Sequence, residues 1–207
     1  MASSPAQTAA RSPKSAIPGT EKFDLYRRGL WEFSLESAYT FYVVPNPFRS
    51  LAEGRLREPN PINYNLVTNL LSVRYRLTNA GGPSFLRGSF EASATFVGSV
   101  IVRGPESYFA GLAFGLRYDF VQPGARLVPY IEMRSGPGTT DSQGILESQQ
   151  QDLVFTYLLS AGVRYDCNSR WSITAGVLDQ HLSNGNLAEK NYGFDSLGIN
   201  LGVFAHF

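Results

Sequence analysis

His181 and Ser183 stand two residues apart in the run Asp179-Gln180-His181-Leu182-Ser183-Asn184-Gly185-Asn186, and Asp195 follows the histidine by fourteen positions. On a β-strand, residues i and i+2 project from one face with Cα atoms about 6.6–6.8 Å apart, so an imidazole and a hydroxyl at this spacing can meet. A serine hydroxyl is a weak nucleophile until a base takes its proton, and a histidine becomes that base when an acid fixes its tautomer. The residue types therefore suit ester hydrolysis. Ser183 is the candidate nucleophile and Asp195 the acid that orients the imidazole. His181 is the base that also reprotonates the leaving alcohol. Asn184 and the backbone N–H groups of Gly185 and Asn186 are candidates for stabilising the developing oxyanion. The competing reading of the same residues is a polar rim where a strand leaves a membrane.

Such a constellation needs paired strands to hold it, and from Trp31 onward apolar residues recur at every second position. The alternation predicts strands over 31–43, 66–77, 89–102, 108–120, 127–135, 152–166, 171–183 and 195–207. The polar rows carry both signs of charge, as Glu32, Glu36, Arg74, Arg76, Glu91, Arg117, Asp119, Glu132, Arg134, Arg164 and Asp166. The apolar rows carry Trp, Tyr and Phe near the strand ends. A soluble barrel would put the charges outside. A membrane barrel inverts this, filling a narrow interior with paired ions and girdling the outside with aromatics. Segments of this length also exceed the usual soluble strand of about 5–6 residues. The fold class expected is all-β, an eight-stranded antiparallel transmembrane β-barrel.

Parity then places the candidate residues. His181 and Ser183 continue the outward row Trp171, Ile173, Ala175, Val177, and Asp195 continues the outward row Leu197, Ile199, Leu201, Val203. A register pairing 181 with 195 also pairs 177 with 199 and 173 with 203, so the three residues converge on one lipid-facing patch. Polar groups there are costly unless they are used or lie at the interface.

Composition narrows the function classes. The 207 residues carry 18 Lys+Arg against 17 Asp+Glu, a net charge of +1, which offers nucleic acid little attraction. Charged residues make up only 17% and aromatics 13%, so charge does not cover this surface. The single cysteine, Cys167, excludes an internal disulfide framework and a Cys-cluster metal site, and two histidines leave little for another. No cofactor and no metal are expected. The lack of a long apolar run excludes a helical span but is blind to membrane strands, so the mean hydropathy of −0.14 does not settle solubility.

Residues 1–29 are Ala/Ser/Pro-rich and aperiodic, without the apolar core of a signal peptide, and read as a disordered lead to a barrel over 30–207. An exported chain would have lost its signal or would begin upstream. An even strand number puts both termini on the periplasmic side. The connections 44–65, 103–107, 136–151 and 184–194 are then external, and 78–88, 121–126 and 167–170 periplasmic. His206 is expected inside the barrel near its periplasmic end, Cys167 in a turn, and Gly136-Pro137-Gly138 in a loop.

The hairpin over 171–207 resembles the active-site hairpin of the lipid A 3-O-deacylase family, eight-stranded outer-membrane esterases. Their pattern is His-x-Ser-Asn, then an Asn and a Gly, then an acid fourteen after the His; His181, Ser183, Asn184, Asn191, Gly193 and Asp195 stand at those spacings. Gly162-Val163-Arg164-Tyr165, Trp171, Pro129-Tyr130-Ile131-Glu132 and the terminal Phe207 are also similar to the family or to outer-membrane barrels generally. Family members commonly have Glu where Asp195 stands, so the shorter side chain must approach His181 more closely or act through water. They also commonly read Ser-Asn-Ala-Gly where this chain has Ser183-Asn184-Gly185-Asn186, and Pro where it has Lys190.

The resemblance implies a bacterial outer-membrane serine esterase that removes the 3-hydroxyacyl chain ester-linked at position 3 of lipid A. Its partners would be lipopolysaccharide as substrate and the surrounding lipids, with homodimerisation left open. Arg49, Arg55, Arg57 and Lys190 are candidate contacts to lipid A phosphates. The alternatives are a noncatalytic structural or adhesive small outer-membrane barrel, and a barrel phospholipase that would depend on calcium.

Overall fold

Strict alternation lets each strand bury one row and expose the other, and the chain does so around a closed sheet. The computed structural model describes residues 25–42, 63–145, 148–189, 191 and 193–207. The strands are β1 (Trp31–Tyr42), β2 (Asn65–Arg76), β3 (Ser89–Arg103), β4 (Tyr108–Asp119), β5 (Leu127–Thr140), β6 (Leu153–Asp166), β7 (Trp171–Ser183) and β8 (Phe194–His206). Each pairs antiparallel with its sequence neighbours, and β8 closes on β1. One turn of 3-10 helix, Ser84–Leu86, sits in the connection after β2.

The charged row faces inward. Arg74 donates to Glu36 at 2.8 Å, Glu91 at 2.8 Å and Glu132 at 3.0 Å. Arg134 reaches Glu36 and Glu132, each at 2.6 Å. Nearer the termini, Arg76 pairs with Glu32 and Asp119, and Arg164 pairs with Glu32 and Asp166. The ring of Phe204 lies beneath the guanidinium groups of Arg74, Arg117 and Arg164 at 5.0–5.1 Å. His206 is inside, as its parity predicts, within hydrogen-bond reach of Ser172 and Arg164. The outward row is apolar and uncovered: Leu35 is 58% exposed, Phe114 66% and Ile199 66%. A charged core under an apolar coat is the membrane-barrel pattern.

Strand ends fall within a residue of the expected positions except in β5, which runs through Gly136-Pro137-Gly138 to Thr140 instead of stopping at 135. The Gly/Pro run reads as punctuation, but glycine here permits close approach: a Cβ on Gly138 would lie 2.5 Å from the Phe109 ring. The disordered lead is likewise corrected at its end. Leu25 and Tyr26 are buried with Val121 and Val128 at the terminal end of the barrel. Tyr26 Oη donates to Asp166 at 2.9 Å, and the Arg76 guanidinium stands 4.9 Å over its ring. Residues 1–24 lie outside the described residues.

Removing one guanidinium from this core strands carboxylates in a space that they cannot share unpaired. Arg74→Ala is expected to destabilise the barrel by about 3–5 kcal/mol. The shift in urea unfolding midpoint, measured in lipid vesicles, checks this; an unchanged midpoint would mean that lumenal water replaces the arginine at no cost.

Candidate active site

The site forms at the end of β7, where it lies between β6 and β8. In the β7–β8 ladder His181 is paired with Asp195, Val177 with Ile199 and Ile173 with Val203, the register under which the three candidate residues converge. On the other side Tyr157 of β6 faces His181 and Phe155 faces Ser183. His181 Nδ1 and Asp195 Oδ1 are 2.8 Å apart. The aspartate thus reaches the imidazole directly, without an intervening water. Their side chains are 16% and 12% exposed, well below the apolar residues on the same rows.

Ser183 completes the patch. A Cβ built on Gly193 would lie 3.1 Å from His181 Cε1 and 3.3 Å from Ser183 Cβ. The imidazole and the serine side chain therefore flank one space, with the Gly193 backbone as its floor, and a side chain at 193 would crowd both.

The hairpin that carries them turns tightly. Gly185 and Asn186 both have φ of +63°, and Leu187 N–H donates to the Asn184 carbonyl at 3.1 Å, as a turn with two left-handed central residues requires. Asn191 ties the two arms: its Oδ1 accepts from the N–H groups of Asn184 and Gly193, each at 3.3 Å, and its Nδ2 donates to Asn186 Oδ1 at 3.0 Å.

This wiring corrects the expected set of oxyanion donors. Asn184 faces inward and is fully buried; its Nδ2 donates to the Gln149 carbonyl at 2.9 Å. The Asn186 N–H donates to Asn184 Oδ1 at 2.8 Å. Both residues hold the turn, because an asparagine at its first position satisfies the backbone that the turn exposes. Among the three, Gly185 alone has an N–H not engaged within the described residues. Lys190, Arg49, Arg55 and Arg57 lie outside the described residues.

Two features were passed over in the sequence. Asp179 is on the outward row yet only 6% exposed, between Leu159 and Leu197 in the ladders. An acid at an odd position of a lipid-facing row was the available signal. Tyr64 stacks on Phe194, the residue before Asp195, with ring centroids 3.5 Å apart and planes within 8°. No local pattern links residues so distant in the chain.

The model of the lipid A 3-O-deacylase (PagL) family matches residues 68–204, a span that runs from within β2 to within β8 and includes His181, Ser183 and Asp195. The chain belongs to that family. Among solved structures it is similar to the outer membrane enzyme PagL, with TM-score 0.54 and 16% identity over 83% of this chain and 97% of that one. It is also similar to Neisserial surface protein A, with TM-score 0.58 and 13% identity over 86% of this chain and 99% of that one. At these identities both show the fold alone, that of outer-membrane barrels. No curated protein matches.

The crowding at Gly193 yields a direct test. Gly193→Val drives a branched side chain between His181 and Ser183, and is expected to slow the deacylation for which the family is named by about 10²-fold or more. Lipid A mass spectrometry on the folded variant checks it; an unchanged rate would mean that these two residues do not act from this arrangement.

Proposed function

We propose that the protein is an outer-membrane serine esterase that hydrolyses the ester at position 3 of lipid A, releasing a 3-hydroxy fatty acid. The observation that carries the reading is the 2.8 Å contact between His181 Nδ1 and Asp195 beside Ser183, on the outward face of a barrel of this family. With Nδ1–H directed at the carboxylate, Nε2 is the nitrogen left to act as base.

In the first half-reaction Ser183 Oγ attacks the acyl carbonyl carbon while Nε2 takes its proton. The Asp195 carboxylate stabilises the imidazolium. The carbonyl oxygen becomes an oxyanion, for which the Gly185 N–H is the open backbone donor, with Asn184 and Asn186 shaping the turn that presents it. The tetrahedral intermediate collapses, the C–O bond to the sugar breaks, and His181 returns the proton to the 3-hydroxyl as it leaves. In the second half-reaction water attacks the acyl-serine, giving its proton to His181. Collapse releases the fatty acid and restores Ser183 Oγ–H. No step calls for a metal.

Placement supports the substrate class. Ser183 is the last residue of β7, at the rim opposite the chain termini. With the termini periplasmic, as an even strand number requires, that rim meets the outer leaflet. An acyl chain can then approach from the membrane across the apolar rows of β6 and β8, without leaving lipid.

Lipid A incubated with the refolded protein is expected to lose one ester-linked hydroxyacyl chain, with and without chelator, and to stay intact with Ser183→Ala. Asp195→Asn is expected to lower the rate by roughly 10³–10⁴-fold, because an amide no longer favours the productive tautomer. Asp195→Glu keeps a carboxylate and retains most activity. Intact lipid A with a verified, folded barrel would favour the noncatalytic reading, and activity abolished by chelator would favour a calcium-dependent phospholipase.

A further inference from the structure

The regular β7–β8 ladder ends at the pair Leu182–Phe194, so Ser183 lies one residue past the last pair that joins its strand to the strand of Asp195. The β6 ladder still pairs Ser183 with Phe155, but beyond that point the arm that carries Asp195 is joined to the serine's arm by the turn and by contacts on the buried side, not by ladder pairing. The buried side of the hairpin shows what does.

Glu106, in the short connection between β3 and β4, is 4% exposed, and each of its carboxylate oxygens starts a chain of contacts that ends on a different arm of the hairpin. Its Oε2 accepts from Tyr64 Oη at 2.6 Å. The Tyr64 ring stacks on Phe194, whose backbone leads directly into Asp195. Its Oε1 accepts from Ser142 Oγ at 2.7 Å and from the Gln149 N–H at 3.4 Å. The Gln149 carbonyl in turn accepts from Asn184 Nδ2, and the Asn184 backbone leads directly from Ser183. Gly104 makes room for the arrangement, since a Cβ there would stand 2.7 Å from the Tyr64 ring. Burial and the neighbouring Glu106 carboxylate push the Tyr64 phenol's pKa up, which keeps it a donor.

We propose that Glu106 is a positioning residue for the reaction, a buried carboxylate that clamps the nucleophile-bearing and acid-bearing arms of the hairpin from inside the barrel. It touches neither substrate nor reacting atoms. It acts through Phe194 on one side and Asn184 on the other, so that Ser183 meets the imidazole at one spacing and angle. The inference rests on the esterase reading above. The requirement is geometric: a displacement of about 1 Å at a nucleophile can cost about 10²-fold in rate even when the altered residue is remote.

The test compares wild type, Glu106→Gln, Tyr64→Phe and Ser142→Ala, each the full chain refolded in detergent. Glutamine keeps the size of the side chain, but its amide NH2 cannot accept, so one of the two hydroxyls must turn and accept instead of donating to a carboxylate, which loosens that arm. Tyr64→Phe keeps the stack on Phe194 and removes only the hydroxyl. Three quantities are read: kcat and KM on lipid A, the rate of Ser183 labelling by a small fluorophosphonate, and the unfolding midpoint.

Glu106→Gln is expected to lower kcat and the labelling rate together by about 10- to 100-fold, with KM within about twofold of wild type. Tyr64→Phe and Ser142→Ala are expected to show smaller losses of the same kind. Their effects should fall short of additive when either is combined with Glu106→Gln, because they share its contacts. An unfolding midpoint that falls while kcat and labelling hold would make Glu106 merely structural and overturn the proposal, as would a change confined to KM. If Glu106→Gln does not fold, unchanged kcat and labelling in the two hydroxyl deletions overturn it equally.

Labelling needs no lipid A, so it separates the two ideas. Wild-type protein that labels at Ser183 but leaves lipid A intact refutes the substrate assignment and still tests the clamp. Wild-type protein that does not label refutes both.

Discussion

The ion pairs that fill the lumen around Arg74 fix which way the strands that supply them face. Arg74 meets Glu36, Glu91 and Glu132 from three other strands, and Arg134 shares two of these partners. A slip of one residue in any of β1 to β6 would send a charge into lipid and an apolar row into the lumen, and in β7 or β8 it would exchange buried polar residues such as Gln180 and Asn200 for apolar ones, because side chains alternate with period two. The penalty for a charge facing lipid is several times that of a lost surface contact. Register is therefore strongly specified along the barrel, and the site inherits it. His181, Ser183 and Asp195 face outward because Thr174, Gln180, Ser196 and Asn200 of the same strands face inward, all of them buried.

That inheritance explains what could be read from the chain without its structure. Parity puts His181 and Asp195 on the same face, and the ladder pairs them. The mixed charges on the polar rows identify a filled lumen, and every residue named on those rows is buried. Strand boundaries follow because polar loops interrupt the alternation. All of these are properties of a residue and its near neighbours in sequence, repeated eight times over, so errors in any one strand are corrected by the rest.

What escaped was set by contacts without a local pattern. Tyr26 reads as part of an Ala/Ser/Pro-rich lead, yet it closes the terminal end of the lumen on Asp166 and Arg76. Gly138 reads as a loop residue, yet it stays in β5 because Phe109 fills the space its side chain would take. Asn184 and Asn186 read as oxyanion donors by their chemistry, and only the turn geometry shows their donors engaged. In each case residue type is a fair guide to what a side chain can do. The partner it finds across the barrel determines what it does.

The two faces of the hairpin divide the work accordingly. Its outward face meets a fluid solvent of acyl chains, which offers no rigid partner to fix a side chain. Its inward face meets a packed, hydrogen-bonded interior in which Tyr64, Glu106, Ser142 and Gln149 have few alternative arrangements. Precision of about 0.5 Å at a reacting atom requires a supporting layer whose own rotamers are locked. A barrel wall is one residue thick, so neighbouring residues on one strand can serve the two requirements at once. Ser183 and Asp195 face lipid, while Asn184 and Phe194 beside them are buried inside. The alternation that excludes charge from the membrane thus also places each proposed catalytic side chain next to its own anchor.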